Sequence, residues 1–196
     1  GIPDLLITDL SQSRLLRVLS GDKIFSVLKR LGLQETRRYS TDDLVRVANE
    51  GATEYTVSGS FIKAGSQFLI SATLQKPRTE EVVRNIRVEC PALDEITAKV
   101  DELTRQLKAE LSLSDEQIAS DLDKNLGKIT SMNAEALRYY IEAKRYHWKA
   151  ENDKSIPLLE KAVAFDPEFI LAYEALSSAH YNLGEFSRSN SYMAHV

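Results

Sequence analysis

Three histidines and one cysteine are the residues best suited to catalysis in this chain, and none of them sits in a catalytic signature. A zinc hydrolase helix would need His-Glu-x-x-His, a hydrolase elbow Gly-x-Ser-x-Gly, a phosphate cradle a glycine-rich loop running into lysine and serine, and a structural zinc site paired cysteines. The sequence contains none of these. Ser58-Gly59-Ser60 carries hydroxyls, but it lies within a strand-like run with no histidine nearby, so Gly59 reads as a bulge or a close-packing position. The carboxylate neighbours Asp42-Asp43, Glu80-Glu81 and Asp101-Glu102 fall at a helix start, a hairpin and a helix face, where solvated charge is the ordinary reading. Cys90 has only Arg87 nearby to stabilise a thiolate and reads as packing at a strand end. The expectation is therefore no catalytic residue, no metal and no cofactor.

Composition narrows the remaining classes. With 196 residues, 43% hydrophobic and 28% charged, the chain has the make-up of a folded protein of one medium or two small domains. A net charge of −4 lacks the basic face that a sequence-independent grip on nucleic acid requires. No apolar run reaches the roughly 18 residues of a membrane span, the continuous ones being pieces such as Phe68-Leu69-Ile70. The first residues, Gly1-Ile2-Pro3-Asp4, lack methionine and a basic leader, which reads as a piece of something longer.

The elements follow from hydrophobic period. Residues 3–13 read as a helix with proline in its first turn, and Leu15–Leu19 as a short strand. Helices are expected over 22–31, closed by Gly32, and over 41–49, started by Ser40 and Asp43 and stopped by Gly51. Tyr55, Val57, Gly59 and Phe61 alternate with polar partners, as do Phe68, Ile70, Ala72 and Leu74, and a third strand lies around Val82–Glu89. Gly65 and Lys76-Pro77-Arg78-Thr79 mark the turns between them. After Cys90-Pro91, Leu93, Ile96, Val100, Leu103, Leu107 and Leu111 recur at helical spacing. Residues 112–132 read as a polar linker with a short helix capped by Ser114 and Gln117. Beyond residue 133 the strand pattern ends and a 34-residue period takes over: Tyr139, Ala143, Tyr146, Leu159, Ala162 and Pro167 in one unit, then Tyr173, Ser177, His180 and Met193 in the next. Ser177 and Ser189 stand where small apolar residues are usual, and Gly184 where a turn glycine belongs.

The second half resembles tetratricopeptide repeats on that period and register. The first, from Gly1-Ile2-Pro3-Asp4-Leu5-Leu6-Ile7-Thr8-Asp9-Leu10-Ser11 through Glu54–Lys63, Gly65-Ser66 and Phe68–Gln75, resembles the TolB amino-terminal-like domain. The expected fold is therefore α/β (α+β): a small mixed sheet with packed helices over 1–111, the linker over 112–132, and an all-α helical-hairpin array with units 133–167 and 168–196. In such arrays the first helix of each unit lines a concave groove. The register places Leu137, Tyr140, Lys144, His147 and Trp148 there from the first unit, and Glu174, Ser178, Tyr181 and Asn182 from the second. The resemblance implies a non-catalytic interaction and sensing module of a larger bacterial signalling protein carrying a kinase, a cyclase or a winged-helix domain, with a protein or peptide partner in the groove. The alternative is a small-ligand sensor domain controlling such a distant output. The resemblance implies a place outside the cytoplasm where a kinase is linked through a membrane helix, and in the cytoplasm otherwise. The family's first strand is missing from this sequence and no helix caps the last repeat, so self-association through a sheet edge at Leu15–Leu19, or through the repeat end, is a further expectation.

Overall fold

A computed structural model describes residues 2–36, 38–111, 113–121, 126 and 130–196. Residue 1, which opens the TolB-like resemblance, and part of the expected linker (112, 122–125, 127–129) lie outside the described residues. The fold is α+β. In chain order come α1 (Ile2–Gln12), α2 (Gly21–Arg30), α3 (Thr41–Gly51), β1 (Thr56–Ala64), β2 (Gln67–Lys76), β3 (Glu81–Cys90), α4 (Ile96–Glu110) and α5 (Asp115–Ser120). They are followed by α6 (Ala134–His147), α7 (Asn152–Phe165), α8 (Ile170–Asn182) and α9 (Phe186–Met193). Two compact units are distinguished: one holds Leu6–Ala92 and Lys99–Asp123, the other Gly1–Leu5, Leu93–Ala98 and Lys124–Val196.

In the first of these units the sheet is an antiparallel meander in the order β1-β2-β3. The register sets Val57, Gly59 and Phe61 opposite Leu74, Ala72 and Ile70, and Ala72 and Ile70 opposite Ile86 and Val88. Residues directly opposite share a face. That face is buried along β2 and β3, whereas Val57 and Phe61 of the edge strand stay exposed. Gly65 takes the positive φ of the first hairpin turn (66°), and Pro77–Thr79 forms a 3₁₀ turn before β3. The alternating pattern thus becomes the expected three strands, since a single-residue slip would bring polar residues to the buried face.

Three expectations fail here. Leu15–Leu19 forms no strand, and the sheet is purely antiparallel rather than mixed. Leu19 lies against the end of α3, where a Cβ on Gly51 would stand 3.0 Å from its Cδ1. The segment thus packs through a side chain, and the edges of the sheet are β1 and β3. Gly51 also does not stop α3. The helix runs through it and ends on Ala52, which takes the left-handed conformation at φ 52°. Its other end is as read: the Ser40 hydroxyl accepts from the Asp43 N–H while Asp43 accepts from the Ser40 N–H.

Polar groups are buried in the same unit. Lys108 Nζ donates to Asp121 Oδ2 at 3.3 Å, with both side chains at 3% exposure or less, and the Arg14 N–H donates to the other Asp121 oxygen at 3.2 Å. Burial would raise the Asp121 pKa. The Ser13 hydroxyl, the Arg14 amide and the Lys108 ammonium outweigh it and hold that carboxyl below its usual range. Asp9 shifts the other way: burial lifts its pKa although Thr104 donates to Oδ2 and Gln12 to Oδ1.

In the other unit, α6 with α7 and α8 with α9 make two helical hairpins, and α8 packs on both α6 and α7. The contacts repeat at an offset of 34 residues. Glu151 N–H donates to Tyr146 C=O at 3.0 Å, and Glu185 N–H to His180 C=O at 2.9 Å. The Ser155 hydroxyl donates to the Ala143 carbonyl at 3.0 Å, and the corresponding Ser189 hydroxyl pairs with Ser177 at 3.0 Å. Along the face that α8 buries, Ala172, Ala175, Leu176 and Ala179 follow Phe169. These small side chains let the helix axes approach closely.

Candidate functional site

The open face of the second hairpin carries a hollow of about 370 Å³ between α8 and α9. Glu174, Ser177, Ser178 and Tyr181 line it from α8, and Ser189, Asn190 and Met193 from α9. Each set is a run of helical i, i+3 or i+4 neighbours, which is why one face of each helix reaches the same hollow. Ser177 and Ser189 are buried and satisfy one another, so they form a polar floor without a free demand. Glu174 and Ser178 form an exposed rim. Tyr181, 62% exposed, meets Phe186 edge-on at 5.3 Å between ring centroids.

Beside this hollow, His180 is buried and its Nδ1 lies 2.6 Å from Glu185 Oε2, while Tyr192 stacks on the imidazole at 5.3 Å. The hydrogen bond from His180 holds the Glu185 carboxyl below its ordinary pKa, against a smaller desolvation effect. His180 Nε2 is buried without a hydrogen-bond partner among the described residues. The first hairpin builds the same tie from different residues, with His147 Nδ1 3.0 Å from Asn152 Oδ1. Both imidazoles lock a helix to the helix that follows it.

The structure divides the nine residues assigned to a groove. Glu174, Ser178, Tyr181 and Asn182 are exposed, and the first three border the hollow. Leu137 and Tyr140 are each 4% exposed and His147 8%, so these three belong to the interior and not to an open surface. Lys144 and Trp148 are half-buried. The physical reason is that the chain covers its own first hairpin. Phe169 places its ring 4.8 Å from that of Tyr140. Asp4, itself buried, is close enough to Tyr140 and Lys144 to shift charge equilibria. Burial raises the Asp4 carboxyl pKa with Lys144 opposing, and burial followed by Asp4 and Glu174 raises the Tyr140 phenol. Sequence reasoning left Asn190 out of the site altogether and placed Ser177, Ser189 and Met193 in the repeat core. The pointer to them was visible, since hydroxyls replace the usual apolar residues at Ser177 and Ser189.

Among the other candidates, Cys90 is buried at the end of β3 with its Sγ 2.9 Å from the Ala92 carbonyl. Ser58-Gly59-Ser60 lies in an unbulged stretch of β1, and Gly59 is there for close packing: a Cβ would stand 2.2 Å from the Ser71 carbonyl oxygen. His195 stacks on Tyr173 at 4.4 Å. Among the described residues no group of three or more His, Cys, Asp or Glu is arranged to hold a metal, and no helix is long and apolar enough to cross a membrane. What the hollow offers chemically is hydroxyl and amide hydrogen bonding, one carboxylate and an aromatic face. No protein-family model, curated protein or solved structure matches the chain.

Proposed function

We propose that this chain is a non-catalytic protein-interaction and sensing module of a larger bacterial signalling or regulatory protein, its first part a TolB amino-terminal-like domain and its second a pair of tetratricopeptide repeats. The observation that carries this reading is the recurrence of hairpin geometry at 34 residues, the length of that repeat, together with the open hollow on the second hairpin. Repeats of this kind present surfaces and bind through them. The exposed Tyr181–Phe186 pair supplies aromatic anchors next to polar groups, the composition of interface hot spots. The polar groups best placed for chemistry are committed to structure: Lys108 to Asp121, His180 to Glu185.

The test replaces Tyr181 with a photo-cross-linking phenylalanine in the protein expressed in its own cells, with Val82, an exposed residue of β3, as the reference position. Expected is a discrete cross-linked protein from position 181 and none from 82. Equal or absent cross-linking at both overturns the interaction reading. Tyr140 and Trp148 are unsuitable probes, being buried and half-buried.

A further inference from the structure

Ser58-Gly59-Ser60 takes no part in the interaction reading, yet the strand register gives it a place. Ser60 stands opposite Ser71, and Ser71 opposite Arg87. These three side chains therefore form one row across β1, β2 and β3, on the face turned away from Ile70 and Ala72. Gly59 lets β1 come this close, since a Cβ there would stand 2.2 Å from the Ser71 carbonyl oxygen. In the neighbouring row the Thr73 hydroxyl already donates to Asn85 Oδ1 at 2.7 Å. The Ser60 and Ser71 hydroxyls and the Arg87 guanidinium enter no side-chain hydrogen bond or ion pair among the described residues. Ser60 and Arg87 are exposed and Ser71 is half-buried. A second observation gives the sign of what fits there. Residues 55–79, which include all of β1 and β2, hold no aspartate or glutamate in a chain with 29 of them. Glu89, one row further along β3 and opposite Leu69, is the acid nearest in register.

We propose that the row Ser60, Ser71 and Arg87 is a docking site for the phosphate group of a phosphomonoester. Strands about 4.8 Å apart set the two hydroxyls where one tetrahedral group accepts from both. The guanidinium fork of Arg87 reaches the remaining oxygens and supplies the charge. A carboxylate, with two oxygens in one plane, answers only two of the three donors. The row belongs to the unit of Leu6–Ala92 and the hollow to that of Lys124–Val196, so this site rests on no part of the interaction reading.

The probes are inorganic phosphate and a short peptide with one central phosphoserine, each titrated at constant ionic strength into the isotope-labelled whole chain and followed by amide NMR shifts. Expected are saturable shifts at Ser60, Ser71 and Arg87, with binding weakened about tenfold by Arg87→Gln and weakened also by Ser71→Ala. Glu89→Gln removes the nearby like charge and should tighten binding about twofold. Equal affinity for the two probes assigns the site to free phosphate, and a preference for the peptide assigns it to a phosphorylated segment. Absence of saturable shifts, binding indifferent to Arg87→Gln, or acetate that binds as tightly as phosphate overturns the site. Amide shifts outside the sheet report whether each variant keeps its fold, so a loss of binding is read at the row itself.

Discussion

Ala150 and Gly184 hold the same left-handed backbone, φ 59° and φ 77°, at the same place in two successive helical hairpins. Each closes the turn after the first helix, and each is followed by a glutamate N–H that reaches back to the carbonyl five residues earlier. Alanine has a Cβ that opposes this conformation and glycine has none. Ala150→Gly should therefore stabilise the protein by about 0.5–1 kcal/mol, the relief of strain exceeding the added freedom of the unfolded chain. Gly184→Ala should destabilise it by about 1 kcal/mol, although a Cβ there would meet nothing within 4 Å. Urea melts of both variants measure the two signs, and equal effects would show that the turns are not equivalent.

Gly59→Ala poses a different problem, one of space. The new methyl group would collide with the Ser71 carbonyl oxygen of the neighbouring strand, so β1 has to move away from β2. The expected cost is about 1–3 kcal/mol, as for other overpacked sites. Faster hydrogen exchange of the β1–β2 amides, with those between β2 and β3 less affected, is the accompanying observation.

Lys108→Met leaves the Asp121 carboxylate buried without its ammonium partner, at a cost of about 3 kcal/mol at pH 7. Because the Asp121 pKa is depressed in the fold, its contribution is fully present above the ordinary carboxylate range and is lost as pH falls through the folded value. The penalty of Lys108→Met should shrink over that same acid window. Asp9 acts with the opposite sign. Its raised pKa makes the fold take up a proton more readily than the unfolded chain, so its effect on stability improves as pH falls. Melts at pH 7 and pH 3.5 on the parent and the variant separate the two.

The His180–Glu185 pair gives a second acid-sensitive contact. The Glu185 pKa is held low by the His180 hydrogen bond, so that stabilisation is present at neutral pH and disappears as pH drops through the depressed value. Glu185→Ala should destabilise the second hairpin at pH 7 and lose its effect in acid. Circular dichroism melts across this range check it, and a pH-independent penalty would mean that the contact is not electrostatic.

Local pattern carried much of this architecture. Alternation over residues 55–89 specified three antiparallel strands and the buried face of β2, because a period of two has only one register that hides its apolar set, whereas Val57 and Phe61 of β1, read the same way, stay exposed. The Ser40–Asp43 cap and the turn at Gly65 were equally legible, each depending on residues within four positions of one another. So was the 34-residue spacing of the hairpins. Leu15–Leu19 was not, because a strand exists only where a neighbour offers a ladder, and nothing in five residues says whether one does. The site divided in the same way. Ser178, Tyr181 and Glu174 are exposed where the register placed them, since their exposure depends on their own helix. Leu137, Tyr140 and His147 are buried instead, Tyr140 against Phe169 and near the distant Asp4, and His147 against Asn152. Sequence by itself determined the elements and the apolar stripe that each carries, because these follow from spacing within one element; only the tertiary structure decided which of those faces the chain covers with its own atoms, because that depends on contacts far apart in sequence.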